Sequence, residues 1–422
     1  MHRLIAALLA AAACAGIAQA QTPPSTTANA PLRLDDALAL AGVASPALEA
    51  ARADVRAAGA ARVTAGLRPN PQLTLDAENI AGSGPYRALD GLETTAALAL
   101  PVELGGKRSA RLDLADAQGR RMAIQAAIAE ADLKLAVIAA YAEAAAAEHR
   151  LGAAQAQARI AADALRAAQV RVQAGRASPI EVQRAEVSRA NADAAAEQTE
   201  RLVTLSRFNL SKLIGRPLAE GLDGAWFRRV RPGQGPLRPA DSAGTLALAA
   251  AEADVAMADA GVRLARSQRV PDLTLSAGAR HFRETGDTAA LLGLSIPIPL
   301  FNGGRSALAQ AASERQGAEA RRRMAGIDAD RAIARAEADL ANAATSAATA
   351  SGPALAAAEE TARIARIGYR EGKFGQLELL DAERTLADTQ IAAIDALLSF
   401  HIATAQLERL TARAPAISGE NP

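Results

Sequence analysis

The chain of 422 residues has one cysteine, four histidines, one tryptophan, three tyrosines and six phenylalanines. Each shortage excludes something. Aromatics are 2% of the chain and alanine supplies most of the 50% counted as hydrophobic, so few large side chains are on hand for a thick globular core. Alanine is the best helix former and lets helix axes approach closely, which favours long, thin, closely packed helices. A single cysteine, Cys14, leaves no intrachain disulfide, and stability must come from packing and assembly. The histidines His2, His149, His281 and His401 are scattered, and none stands at metal-ligand spacing from another His or a Cys. His149, on a long helical stretch, is expected to be exposed. There is no nucleophile elbow and no phosphate loop, so the chain reads as no enzyme, with no cofactor. A formal charge of +1, with both signs alternating along the helical stretches, offers no nucleic-acid surface. No segment after residue 20 has the unbroken apolar run of a transmembrane helix. That leaves a β-barrel open, because barrel strands signal weakly.

What is present begins with residues 1–20, which have the three parts of a secretory signal: Arg3, an apolar run over 4–13, and the small-residue site Ala18-Gln19-Ala20. The run is too short to span a bilayer. Cleavage is expected after Ala20. Lipidation of Cys14 is the weaker reading, since Ala11-Ala12-Ala13 lacks the usual leucine. Residues 21–34 read as a flexible leader.

The rest of the chain is one pattern written twice. A helix is predicted from Asp35, as N-cap, to Gly66, with a break at Ser45-Pro46. Residues 72–80 alternate, with Leu73, Leu75 and Ala77 on one face and Thr74, Asp76 and Glu78 on the other, which predicts a strand. Residues 92–100 alternate again. From Ser109 to Ala174 there is no proline and only Gly119 and Gly152, which predicts one helix of roughly 65–70 residues, on the order of 100 Å long. A turn at 175–179 leads to a returning helix that stops at Gly215-Arg216-Pro217. The linker 218–241 holds Trp226 beside Phe227, which read as a small packing cluster. Then the order restarts: a helix over 242–268, a strand over 272–282, a strand over 291–300, a second very long helix over 306–371, a turn at Gly372–Gly375 and a last helix to Arg413, with a tail over 414–422. RPNPQLTL (68–75) returns as RVPDLTL (269–275), and PVELGGK (101–107) as PLFNGGR (299–305). The two units are 35–217 and 242–413, and a repeat kept at separated landmarks is a structural duplication.

The second turn, IGYREGKFGQLELLDAERTL (367–386), has an echo in VQAGRASPIEVQRAEV (172–187). Aligning Gly175 with Gly372 puts Glu181 on Glu378. Glu378 and Asp381 are three apart, so a helix sets both carboxylates on one face. They admit two readings, a solvated helix face or a functional pair. Each unit supplies two strands of the length that crosses a bilayer when tilted. Four strands cannot close a membrane barrel and a membrane sheet cannot keep open edges, so strands in a membrane require several copies; three give twelve strands.

With LRPNPQLTL (67–75), LPVELGGKRSARLDLA (100–115), IPLFNGGR (298–305) and GYREGKFGQLELLDAERTL (368–386), the chain resembles the TolC-type outer-membrane efflux channels, and among them the heavy-metal, cobalt–zinc–cadmium branch. The resemblance covers nearly the whole chain after the signal. It implies a mostly α fold with a membrane β-barrel: a homotrimer whose twelve-stranded barrel sits in outer-membrane lipid of a Gram-negative bacterium, on a periplasmic α-helical barrel. It implies a passive exit duct, opened at its tip by a periplasmic adaptor and driven by an inner-membrane RND pump. Under it, the turns with Gly175, Arg176 and Ser178, and with Gly372, Lys373, Phe374 and Gly375, meet the adaptor. Glu378 and Asp381 become rings at the periplasmic entrance, and Tyr369 helps to hold the closed tip, with simple packing as its other reading. The family's arginine after the turn glycine is replaced by Lys373-Phe374. Pro101, Gly105, Gly106, Pro299, Gly303 and Gly304 turn barrel strand into helix. Two other classes stay open: the same channel serving drugs or secreted proteins, and a periplasmic coiled-coil adaptor or structural protein.

Overall fold

The computed structural model describes residues 31–230 and 241–415. The signal with Cys14, the leader to residue 30, linker residues 231–240 and the tail from 416 lie outside the described residues. The helices are α1 (Leu34–Ala44), α2 (Pro46–Ala65), α3 (Lys107–Gln173), α4 (Pro179–Ile214), α5 (Gly224–Phe227), α6 (Leu246–Ser267), α7 (Arg305–Thr349), α8 (Leu355–Arg370) and α9 (Gln376–Leu410). The strands are β1 (Gln72–Glu78), β2 (Glu93–Val102), β3 (Leu273–Phe282) and β4 (Thr288–Ser295).

Local chemistry explains most boundaries. Ser45 accepts a hydrogen bond from Leu48 N and Pro46 takes the first helical position, so the chain breaks there. Asp35 is not the cap. The helix starts one residue earlier at Leu34, and Asp35 and Asp36 sit in its first turn, where carboxylates suit the helix dipole. Gly106 and Gly304, at φ 72° and 70°, open the two long helices. Gly105 is also left-handed at φ 71°, but Gly303 is not. β2 runs on through Pro101 to Val102, so Pro101 belongs to the strand and not to the junction after it.

Three further expectations fail. The helix predicted over 306–371 is broken: Ala350–Ala354 forms a π-turn containing Pro353, and Gly352 is non-helical. Proline has no N–H, and its ring pushes on the carbonyl a turn back. β4 starts earlier than predicted and stops at Ser295, where its pairing with β3 ends at Thr274. His149 is not exposed: it is half-buried and stacked on Phe227, with ring centroids 5.2 Å apart.

α3 has 67 residues, which the 11, 20 and 36 of α1, α2 and α4 match. The two short arms thus lie end to end beside one long helix. They meet where Gly215 packs so closely on Ala44 that an added Cβ would lie 2.4 Å from the alanine methyl. The main core is at this level. Tyr141 of α3, fully buried, donates to Leu32 O at 2.6 Å and accepts from Asp223 N at 3.0 Å. Trp226 of α5 meets Tyr141 edge-on and stacks on His401 of α9 at 4.1 Å. The cluster read from Trp226 and Phe227 is therefore the clasp that binds the linker to both long hairpins.

At the other end the strands form one antiparallel sheet in the order β1-β2-β3-β4, with β2 and β3 joining the two units. Register divides most of the residues by polarity, with Leu291 and Phe282 on the polar face and Thr94, His281 and Thr288 on the leucine face as exceptions near the strand ends and edge. One face carries Leu73, Leu75, Leu98, Leu100, Leu275, Leu292 and Leu294; the other carries Thr74, Asp76, Glu78, Glu93, Thr95, Ser276 and Arg280. The apolar face is the more exposed, with Leu73 and Leu75 at 69% and Leu292 at 89%. On the polar face Arg280 bridges Glu78 at 3.1 Å, Glu93 at 2.9 Å and Thr95 at 2.9 Å, tying three strands together. Among the described residues no helix is long and apolar enough to cross a membrane, which says nothing against this sheet.

The histidines of the clasp make its strength depend on pH. His401 Nε2 lies 2.8 Å from Phe227 O, which can only accept, so Nε2 carries the proton of a neutral ring. Burial pushes His401, and burial then Arg228 push His149, below the ordinary value of 6.5. The unfolded chain then binds protons that the folded one refuses. The stabilisation is complete above pH 6.5 and is lost as pH falls from there toward the lowered folded value. Melting temperature should drop as pH falls below about 6.5, and His401→Gln should melt lower with a flatter pH profile; an unchanged slope would exclude His401 as its source.

Candidate functional site at the helical tip

Both hairpin turns close by the same device. Arg176 N donates to Arg171 O at 2.8 Å over Gly175 at φ 68°, and Lys373 N donates to Gly368 O at 2.8 Å over Gly372 at φ 73°. This is the six-to-one bond of a glycine-terminated helix, which needs a left-handed residue at the turn. Ser178 then accepts from Ile180 N, with Pro179 first in α4. Gly375 starts α9 with no side-chain cap. Phe374 folds back onto Gly368: a Cβ there would lie 2.2 Å from its ring. Gly368 is small because Phe374 occupies its surface.

Tyr369 is 4% exposed and sits between the hairpins. The Arg171 guanidinium lies 4.5 Å from its ring centroid, within cation–π range, and Arg171 Nη1 donates to Tyr369 O at 3.4 Å. Gln376 Nε2 donates to Glu181 O at 2.8 Å and makes a second tie. Burial pushes the Tyr369 hydroxyl pKa upward, with Arg171 opposing and Glu181 adding to it. A cation therefore does meet Tyr369, but it comes from α3 and not from the residue after Gly372. Sequence reasoning missed Arg171, Gly368 and Gln376. The alignment of the two turns holds the signal for the first two, since it sets Arg171 opposite Gly368.

Glu378 and Asp381 are both exposed on α9, whose buried stripe is Gln376, Leu379, Ala382, Glu383 and Leu386. Glu378 leans over Gly375, where an added Cβ would lie 2.8 Å from Oε2. Among the described residues neither carboxylate has an ion-pair partner. Glu383, one turn on, is different: it is buried and paired by two bonds to Arg366, one of 2.8 Å. Between the hairpins lies a groove of about 1040 Å³, lined by Ile160, Ala164, Ala185, Tyr369 and Leu379 among others. No three His, Cys, Asp or Glu side chains converge as metal ligands among the described residues.

The molecule joins one sheet with an exposed apolar face to two long helical hairpins, one from each repeat, and the second turn is followed by the exposed carboxylates of Glu378 and Asp381. That layout is the one a channel of the outer membrane with a helical extension requires of each copy. The chain belongs to the outer membrane efflux protein family, whose model matches residues 37–216 and 243–413. It is 30% identical over 392 residues to the cobalt-zinc-cadmium resistance protein CzcC of Cupriavidus metallidurans, which covers 92% of this chain and 91% of that one. To the nickel-cobalt-cadmium resistance protein NccC of Alcaligenes xylosoxydans xylosoxydans it is 30% identical over 316 residues, 73% of this chain and 68% of that one. The fold is also that of CusC, with a TM-score of 0.75 at 17% identity over 90% of this chain and 92% of that one.

Arg366 is the test of the α8–α9 anchor. Arg366→Ala leaves Glu383 buried and unpaired, at a cost of about 1–3 kcal/mol. Thermal unfolding should come earlier and tip proteolysis faster, and Glu383→Gln on the Arg366→Ala background should recover part of the loss. Equal proteolysis of the native and Arg366→Ala chains would show the pair to be dispensable.

Proposed function

We propose that the chain is the exit duct of a tripartite efflux system for divalent heavy-metal cations such as cobalt, zinc and cadmium. It works as a homotrimer, with the sheets of three copies closed into one barrel and the helices forming a tube into the periplasm. An inner-membrane RND pump supplies the energy and a periplasmic adaptor engages the tip. Gly175, Arg176 and Ser178 in one turn, and Gly372, Lys373, Phe374 and Gly375 in the other, are the adaptor's contacts. The channel itself performs no chemistry.

The observation that carries the cation reading is the pair Glu378 and Asp381, exposed and without an ion-pair partner among the described residues. Three copies set six such carboxylates around the entrance, and rings of carboxylates favour cations. The similarity to two metal-resistance proteins supports the choice of cargo. Tyr369, clamped by Arg171 and beside the Gln376–Glu181 tie, holds the α8–α9 hairpin against the α3–α4 hairpin and so keeps the entrance narrow.

Two measurements test this. Deleting the gene should lower tolerance to cobalt, zinc or cadmium, and the intact chain should restore it; unchanged metal tolerance with raised drug sensitivity would overturn the cargo. In single-channel recordings, Glu378→Gln with Asp381→Asn should reduce cation-over-anion preference about fivefold, the equivalent of ~1 kcal/mol of attraction at 4 Å in water. Unaltered selectivity would return the two residues to an ordinary solvated face.

A further inference from the structure

β4 ends at Ser295, yet apolar alternation continues beyond it, and Ile296, Ile298, Leu300 and Phe301 are all exposed. The repeat explains why. β2 and β4 are equivalent strands, because Pro101 corresponds to Pro299 in PVELGGK and PLFNGGR. β1 and β3 are equivalent, because Leu73-Thr74-Leu75 corresponds to Leu273-Thr274-Leu275. β2 has a neighbour on each side, whereas β4 has one. The inner seam pairs Leu98 with Ala277, Leu100 with Leu275 and Val102 with Leu273. Carrying each residue to its equivalent turns these pairs into Ile296 with Ala77, Ile298 with Leu75 and Leu300 with Leu73.

We propose that these are pairs between copies: when a second copy docks, β4 extends through Leu300 and takes residues 73–78 of that copy as its antiparallel partner. This rests on the homotrimeric reading above and supplies the register of its seam. The segment outside the sheet in one chain is the segment whose partner lies on another.

Hydrogen-bond phase tests the register independently. In an antiparallel pair, residues alternate between bonding toward the partner and pointing away. Phe282 N donates to Asp287 O at 2.9 Å, and Arg283 N donates to Leu92 O at 3.0 Å, which fixes the phase of every strand. On β4 the odd-numbered residues bond to β3 and the even-numbered ones point to the open edge. On β1 the even-numbered residues bond to β2 and the odd-numbered ones point outward. The proposed pairs join outward groups to outward groups throughout. They also join apolar face to apolar face, so the seam presents Leu73, Leu75, Ala77, Ile296, Ile298 and Leu300 to lipid.

The prolines agree. Pro297 and Pro299 fall in the other phase, so the N–H they lack is on the β3 side, past the last pair Thr274↔Ser295. They end bonding within the chain and remove no donor from the outer edge. Pro101 sets the precedent. Its missing N–H faces β1, whose pairing ends at Gln72↔Ala99, while β2 stays paired to β3 as far as Val102. Leu300 N, which donates to Ile298 O in the single chain, changes partner in the seam.

Cross-linking decides it. Ile298→Cys with Leu75→Cys places two thiols on facing strands at a spacing that a disulfide spans. The two positions are on opposite edges of one chain's sheet, so only different copies can join them. Oxidation of the purified full-length protein should yield covalent trimers on non-reducing gels, reversed by dithiothreitol and absent from either single-cysteine chain. The slipped pairs Ile298→Cys with Leu73→Cys, and Ile296→Cys with Leu75→Cys, should cross-link at least about fivefold less. Preferential cross-linking of a slipped pair would overturn the register. If none of the three pairs cross-links in a particle with the mass of three chains, the seam is wrong and the trimer stands. Cross-linking at 75 and 298 in a particle of another size would keep the seam and remove the trimer.

Discussion

A sheet with an exposed apolar face and two open edges cannot be at rest alone, and the rest of the molecule follows from that. Water rejects the leucine face. Lipid accepts it, but lipid offers no partner to the backbone groups along β1 and β4, each of which costs several kcal/mol if left unpaired. Only closure with further copies satisfies both demands. In the proposed trimer, closure would set the helices, which leave the sheet through Gly106 and Gly304, as a ring of long antiparallel pairs. Alanine suits such a ring, because thin helices reach tube contacts that bulky ones would block.

The interior is stiff in one place and lightly held in another. The clasp around Tyr141, Trp226, Phe227 and His401 joins the linker to α3 of one hairpin and α9 of the other in a single aromatic core. Toward the tip the core thins to small clusters, such as Ala365, Tyr369, Leu379 and Ala382. There α8 and α9 meet α3 and α4 through Arg171 on Tyr369 and Gln376 on Glu181, beside an open groove. The break at Gly352-Pro353 lies between the two regimes. Under the proposed function, opening would draw on the end with the smaller buried clusters, which also carries the exposed carboxylates.

Much of this was legible in the residues. Period-two alternation gave four strands, the proline-free run gave α3, and the repeat gave the order of elements. Glycine spacing gave both turns, because a left-handed C-terminal residue is a local demand. What stayed hidden was non-local or masked. Arg171 meets Tyr369 across almost two hundred positions of sequence, a distance no local rule spans. His149 looked exposed because the helix that covers it, α5, is four residues long inside a linker. Pro353 was lost within an alanine-rich run whose helical propensity is otherwise uniform. The end of β4 looked like a longer strand because a strand is defined by its partner as well as by its own pattern. Glu378 and Asp381 could be set on one face by spacing alone, but only the structure puts Glu383 inside and those two outside.

The most direct measurement is an electron cryo-microscopy reconstruction of the protein in lipid nanodiscs. The account predicts three copies around a closed barrel of twelve strands, with Leu73, Leu75, Leu292 and Leu294 against lipid and the tip of α9 at the far end of the helical tube. A single copy whose sheet lies outside the bilayer, or a barrel with the leucine face turned to its lumen, would contradict it.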